Sequence, residues 1–236
     1  MSFFVCCIAS FHEPHFKDLI ALRKRQLDAY NIPYCFLYDD PYPNDYRPDA
    51  HDIFIPKLPP KYTPYNPKLN PHMLQRFLQL KYHVDVRHYD FIIRVNISTY
   101  INIKRLKNEI HTFPKQHFFA GYLFQNPMPL YEEYKNSPFI FVSGTCTILS
   151  RDVYDGLAYI DIHDRRLYTA NDDVAMSYII KKFVSSFTHI PMALVENDAM
   201  PPLNNALLYR IKHYQSRDKE VNHWKFLLNK YDSLTD

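Results

Sequence analysis

Three glycines in a chain of 236 residues, Gly121, Gly144 and Gly156, narrow the field more than any other feature. Loops that cradle phosphates with their backbone, whether P-loops or dinucleotide-binding fingerprints, need closely spaced glycines so that the main chain can approach the ligand. Neither pattern is present, and the G-x-S-x-G elbow that presents a hydrolase serine is absent too. The chain still has the means to build a core. Hydrophobic residues make up 47% of it and charged residues 22%, the balance of a globular rather than a disordered chain. Tyrosine buries its ring while its hydroxyl stays at a wet wall, so 20 tyrosines beside 17 phenylalanines suit a protein with a polar ligand.

A formal net charge of +3, with Lys and Arg dispersed, is too small for a nucleic-acid footprint but compatible with an anionic small ligand. Cys6 and Cys7 are adjacent in an apolar run, and Cys35 and Cys146 stand alone, so neither zinc spacing nor a disulfide framework is present. A reducing compartment is expected. The apolar start, residues 3–9, lacks a basic leader and a cleavage pattern, and no stretch reaches about 18 apolar residues. No signal peptide and no membrane span are therefore expected, and a cytoplasmic location is.

Strand-like and helix-like segments alternate through the first third, the pattern of an α/β fold with a mainly parallel sheet. Residues 3–9, 34–38, 52–55 and 90–95 read as strands, with 3–9, 34–38 and 90–95 as buried neighbours. Residues 15–30 and 72–88 show apolar positions at helical spacing, such as Met73, Phe77, Leu80 and Val84. The proline-rich stretch 56–71 cannot be helical and reads as a flap. Further on, 139–150 reads as a long strand, 173–183 as a helix, and 224–231 as a terminal helix.

Three segments carry chemistry. They are Tyr89-Asp90-Phe91-Ile92-Ile93-Arg94-Val95-Asn96-Ile97-Ser98-Thr99-Tyr100-Ile101-Asn102, then Ser143-Gly144-Thr145-Cys146-Thr147-Ile148-Leu149-Ser150-Arg151-Asp152, then Asn171-Asp172-Asp173-Val174. In order and spacing they resemble the GT-A glycosyltransferases of the Fringe and beta-galactosyltransferase group. There a strand of the form Y-x-x-K/R-x-D-D-D-x-F-x-N is followed by S-G-G-x-x-x-L-S-R-D and then E-D-V. The helix before the first segment, Met73 to Tyr82, is also similar, with Arg76 near the place of a basic residue. The likeness spans residues 72–183, about half the chain. The departure lies in the DxD signature, where this chain has Asn96-Ile97-Ser98.

The resemblance implies a single α/β domain, 1–236, with a central, mostly parallel (mixed) sheet flanked by helices. The part to about residue 100 would bind nucleotide and the part from about 101 the acceptor. It implies a UDP- or GDP-sugar donor, a glycan acceptor, and transfer to an acceptor hydroxyl with inversion. Ser10, Asp39, Asp40, Arg76, Arg94, Asn96 and Ser98 would bind donor, and Ser143 and Gly144 acceptor. Asp173, seconded by Asp172, would be the general base. In the family a divalent metal, Mn2+ or Mg2+, sits on the DxD carboxylates. Asn96 and Ser98 offer only neutral oxygens, which suit a hard cation less well, so such a metal is expected to be weakly bound or dispensable. Arg94, Arg76, Lys81, Lys212, His213 and Arg217 are candidates to screen the diphosphate instead.

Plainer readings stand beside these. Asn96 to Thr99 also fits a polar turn, Asp172 or Asp173 a helix cap, Ser143-Gly144 a strand kink, and Asp39-Asp40 the start of a turn. His12-Glu13-Pro14-His15 reads better as the lead-in to a helix than as a metal site. Two other functions remain open, a non-catalytic sugar- or nucleotide-sugar-binding protein and a nucleotidyltransferase. The latter usually has a glycine-rich loop after strand one, where this chain has Cys7-Ile8-Ala9-Ser10-Phe11.

Overall fold

The run Phe3–Ile8 is apolar at every position, which suits a strand covered on both faces, and it forms the interior strand β1, buried throughout. The computed structural model describes residues 1–11, 13–38, 41–56, 72–126, 138–168, 171–196, 205–212 and 219–234. After β1 come helix α1 (Phe16–Ala29), β2 (Tyr34–Tyr38), β3 (Asp52–Phe54), α2 (His72–Gln79), β4 (Phe91–Asn96) and β5 (Thr99–Ile101). The rest is α3 (Ile103–Glu109), β6 (Phe119–Asn126), β7 (Phe139–Ser150), α4 (Arg151–Ala158), α5 (Asp172–Ile180), β8 (Thr188–His189), β9 (Met192–Glu196), β10 (Leu208–Lys212) and α6 (Lys219–Leu227).

Seven strands form one sheet in the order β3-β2-β1-β4-β7-β6-β8. Strands β3, β2, β1 and β4 are mutually parallel, β7 runs antiparallel to both β4 and β6, and β8 is parallel to β6. The expected neighbours β2, β1 and β4 are adjacent, and the sheet is α/β and mostly parallel. Because side chains alternate across a strand, Phe3, Val5 and Cys7 face one apolar layer with Leu19, Ile20 and Trp224. Phe4, Cys6 and Ile8 face the other, with Phe77, Leu157 and Ile179. Each such side chain taken fully from water contributes about 1.5–3 kcal/mol, so the sheet is held from both sides. All four cysteines are free and buried, and burial pushes the Cys7 and Cys146 thiols up to about 12.

The helix expected over 72–88 is shorter. Regular helix ends at Gln79, a 3-10 turn covers Leu80–Tyr82, and the chain then turns toward β4. Asp85 fixes the turn that follows. Its carboxylate accepts from the backbone NH of Arg87 at 3.1 Å and from the Arg87 guanidinium at 2.9 and 2.8 Å, a local turn that competes with helix.

A second, smaller sheet, β5-β10-β9, begins immediately beyond β4. It is anchored by a buried polar network. Arg23 of α1 is fully buried, stacks its guanidinium 4.3 Å from the Trp224 ring centroid and donates to the Thr99 carbonyl. Gln26 donates to the Ile101 carbonyl at 2.8 Å and to Asp232 at 2.7 Å, and Asp232 also accepts from Tyr100 and Tyr30, each at 2.8 Å. Burial raises the Asp232 pKa, and these three donors oppose the rise.

The crossing of β6 and β7 leaves no room for a side chain at Gly121. A Cβ there would lie 2.5 Å from the Cys146 carbonyl oxygen and 2.5 Å from Cγ1 of Val142. Because the first obstacle is backbone, Gly121→Ala is expected to cost about 1–3 kcal/mol, the usual range for overpacking. Urea unfolding of variant and parent at equal m-value measures it.

Candidate functional site

Strands β1 and β4 end side by side, with Ile8 paired to Asn96 and the Ile97 NH donating to the Ile8 carbonyl at 3.3 Å. In parallel α/β sheets this carboxyl edge is where ligands bind. Antiparallel β7 passes the same edge, with Arg94 opposite Thr147 and Val95 opposite Cys146. Residues 143–147 therefore run alongside 94–96, and α5, packed on β7, brings its first turn to the same place.

Arg94 is the centre of this arrangement. Its side chain is 1% exposed and its Nη2 donates to Asp172 Oδ2. Nε and Nη1 have no hydrogen-bond partner among the described residues. Gly144 makes room for it, because a Cβ there would lie 3.0 Å from Arg94 Nη1 and 3.2 Å from Asp173 Cβ. The space in front of this glycine is thus occupied by the protein's own guanidinium and carboxylate. Beside it Ser143 is buried, its hydroxyl accepting from the Thr145 NH at 3.3 Å and from the Thr145 hydroxyl at 3.1 Å.

The two adjacent acids at the start of α5 do different work. Asn171 holds the N-cap position and makes no side-chain cap bond. Asp172 turns to Arg94 rather than capping. Asp173 accepts from the Gly144 NH at 3.1 Å through Oδ2 and from its own helix, at the Val174 NH, at 2.9 Å through Oδ1. Burial first, and then the neighbouring Asp172 charge, raise the Asp173 pKa, while the two NH donors and Arg94 oppose the shift.

Asn96 and Ser98 stand at the end of β4, but their side chains have different surroundings. The Asn96 Oδ1 is buried without a hydrogen-bond partner among the described residues, as is the Thr147 hydroxyl nearby. Ser98 is 5% exposed, and its hydroxyl accepts from Arg210 Nη1 at 2.7 Å. Arg210 comes from β10, which sequence reasoning did not connect with this site. No local signal marks it, because the contact joins residues 112 positions apart.

Of the other expected site residues, Ser10 lies just past the end of β1, half-buried, at this same edge. Arg76 is buried on α2, a helix packed against α5. Asp39 and Asp40 lie outside the described residues, as do His12, His213, Arg217 and the proline-rich stretch from residue 57 to 71. Lys81 belongs to the turn leading into the start of β4, toward the opposite edge, and donates to the Ala158 carbonyl. A groove of about 380 Å3 beside it, lined by Tyr82, Asp85, Tyr154 and Tyr159, holds none of this constellation.

Four aromatic residues gather past the ends of β1 and β2. Phe11 stacks on Tyr38 with centroids 5.0 Å apart, and Tyr42 stacks on Tyr46 at 5.6 Å. Asp52 accepts from the Tyr38 and Tyr46 hydroxyls at 3.0 and 2.9 Å and from Lys24 at 2.8 Å. The abundance of tyrosine was visible in the sequence, but this grouping was not.

The residues at the end of β4 do not fit a divalent metal. A hard cation takes oxygen ligands, carboxylates foremost. Here the available side-chain oxygens are neutral, one of them already accepts from a guanidinium, and no three His, Cys, Asp or Glu converge among the described residues.

No protein-family model matches the chain, and no curated protein matches it by sequence. Solved structures match it in shape. A glycosyltransferase involved in the glycosylation of the major capsid of PBCV-1 is 9% identical, with TM-score 0.54 over 96% of this chain and 100% of that one. The bifunctional glycosyltransferase WbbM is 10% identical, with TM-score 0.52 over 95% of this chain and 49% of that one, so this chain spans about half its length. A 2-C-methyl-D-erythritol 4-phosphate cytidylyltransferase from Thermus thermophilus is 12% identical over 94% of this chain and 96% of that one, with TM-score 0.44, too low to carry an argument. The fold is that of the GT-A type, a mixed sheet of seven strands with helices on both faces. Among the described residues no helix is long and apolar enough to cross a membrane.

The raised Asp173 pKa has a consequence for stability. An acid whose folded pKa lies above its unfolded value, ~3.9, binds more protons folded than unfolded between the two, so stability falls as pH rises through that window. Relative to Asp173→Asn, the parent is therefore expected to lose stability as pH is raised from about 4. Parallel urea titrations across pH measure the difference, and a pH-independent gap between the two proteins contradicts it.

Proposed function

We propose that this chain is a glycosyltransferase that moves a sugar from a nucleotide-sugar donor, a UDP- or GDP-sugar, to a hydroxyl of a glycan acceptor. We place it with the Fringe and beta-galactosyltransferase group, as one domain whose residues up to about 100 hold donor and whose remainder holds acceptor. The observation that carries this reading is the carboxylate pair Asp172 and Asp173 gathered with buried Arg94 at the carboxyl edge of β4 in a GT-A fold.

In this reading Asp173 is the general base. A sugar hydroxyl is a poor nucleophile at neutral pH, and a carboxylate within hydrogen-bond reach takes its proton as the oxygen attacks the anomeric carbon. The bond from that carbon to the diphosphate breaks, and the nucleoside diphosphate leaves with the electron pair. Burial raises the basicity of Asp173, which favours proton transfer. The NH groups of Gly144 and Val174 hold its two oxygens in place. One base beside the acceptor, with no nucleophile assigned opposite it, corresponds to inversion. Asp172 neutralises Arg94 and so keeps the guanidinium where it fixes the edge of β4. Ser10 and Asn96 would face the donor, Ser143 and Gly144 the acceptor side, and the rings of Phe11 and Tyr42 offer stacking surface for the base.

Thermal unfolding with a panel of UDP- and GDP-sugars comes first, since a ligand that binds only the folded protein raises its midpoint. With a donor in hand, Asp173→Asn is expected to cut kcat by about 10²–10⁴-fold with the donor Kd nearly unchanged. Asp172→Asn is expected to lower the unfolding midpoint more than Asp173→Asn does, because it weakens the partner of a buried cation. Full transfer by the Asp173 variant removes it from the mechanism. Binding without turnover makes the protein a binder, and pyrophosphate release makes it a nucleotidyltransferase.

A further inference from the structure

The turn after β4 carries a cation on the atom that would have to be a metal ligand. Ser98 Oγ accepts from Arg210 Nη1 at 2.7 Å, and the same nitrogen lies 3.4 Å from Thr99 Oγ1. This is a placed contact rather than a stray surface one. Strand β10 pairs antiparallel with β5, with Arg210 opposite Thr99, and the Ile211 NH donates to the Ser98 carbonyl at 3.0 Å. The backbone on both sides of the guanidinium is therefore tied to the turn it serves.

The charges around the turn point the same way. Neither Asn96 nor Ser98 is an acid, and a metal on the Ser98 hydroxyl would meet a guanidinium already seated there. The other nearby arginine, Arg94, is 1% exposed. Arg210 is half-buried, with Nη1 on Ser98 and Thr99. The buried Asn96 Oδ1 two residues earlier has no hydrogen-bond partner among the described residues. A planar guanidinium with several donors suits phosphate oxygens.

Resting on the donor-site reading above, we propose that Arg210, seated on Ser98, supplies to the donor diphosphate the positive charge that a divalent metal supplies in DxD enzymes. Ser98 is then a positioning residue, and Asn96 is a polar neighbour rather than a metal ligand. The exchange is made at Ser98, where a neutral acceptor that holds a guanidinium stands in the place of an acid that would hold a metal. It also predicts that chelator leaves donor binding intact, whereas loss of one residue on β10 abolishes most of it.

Calorimetric titration of the full chain with UDP, GDP, uridine and guanosine, in excess chelator and again with Mn2+, tests this. The expected result is nucleoside diphosphate binding of equal affinity with and without Mn2+. Arg210→Met weakens it by about 10- to 100-fold, in keeping with loss of charge-assisted hydrogen bonds. Arg210→Lys recovers part of the loss, and Ser98→Ala, which frees the guanidinium from its seat, gives a smaller one. Nucleoside binding is unchanged in all three, a selectivity that a merely structural role would not produce. Unfolding midpoints without ligand identify any variant that fails to fold, and the remaining variants then decide. Diphosphate binding that requires Mn2+, or is unaltered in Arg210→Met and Arg210→Lys, overturns the inference and leaves the transferase reading standing. Failure of the parent to bind any of these diphosphates removes that reading and this inference together.

Discussion

A guanidinium buried at the end of the central strand is the constraint around which the candidate site is organised. Taking a charge out of water costs several kcal/mol unless a partner and hydrogen bonds compensate it. Arg94 obtains its partner from Asp172, on a helix that arrives 78 residues later in the chain. The pair forms beside β7, in space that the missing side chain of Gly144 leaves for the guanidinium and for Asp173. Asp173 is fixed by the same geometry, since its Oδ2 is held by the Gly144 NH. One strand residue, one glycine and two adjacent acids thus form a single unit, and none of them is free to vary alone.

The second sheet gives the edge of β4 its other wall. Strand β5 follows β4 after a two-residue turn, and its carbonyls at Thr99 and Ile101 are held by Arg23 and Gln26 of α1. Asp232, near the C-terminal end, joins that network through Gln26, Tyr30 and Tyr100. The position of β10, and with it of Arg210, therefore depends on contacts made by the first helix and the last described turn. Such buried polar networks are costly when incomplete and specifying when satisfied.

Polar atoms are distributed unevenly along this edge. Buried polar groups in folded proteins are nearly always hydrogen-bonded, yet Nε and Nη1 of Arg94, Oδ1 of Asn96 and the Thr147 hydroxyl lack partners among the described residues, all on or beside the last turn of β4. On the opposite side of the sheet the same strands present Ile93, Val95 and Cys146 to an apolar core. The contrast between the two faces of one strand separates the purely apolar side of β4 from the side that carries the candidate site.

Much of this was legible in the amino-acid order. Apolar runs identify β1, β2 and β4, since a strand covered on both faces is largely apolar, and the connection through α1 brings β2 beside β1. Order and spacing also brought Arg94, Asn96, Ser98, Gly144 and the two acids together as candidates. Tertiary structure decided their partners. Whether Asp172 caps a helix or pairs with an arginine depends on which strand lies opposite, and whether Gly144 opens space for a ligand or for Arg94 depends on the register between β4 and β7. Arg210 carried no local mark, because a contact across 112 residues is set by how two sheets meet. The sequence by itself determined the strands β1, β2, β3, β4 and β7, but not β5, β6, β8, β9 or β10, and it showed which residues carry charge near the end of β4. Only the fold decided which charges face one another, since electrostatic partnership depends on distance in space and local sequence encodes distance along the chain.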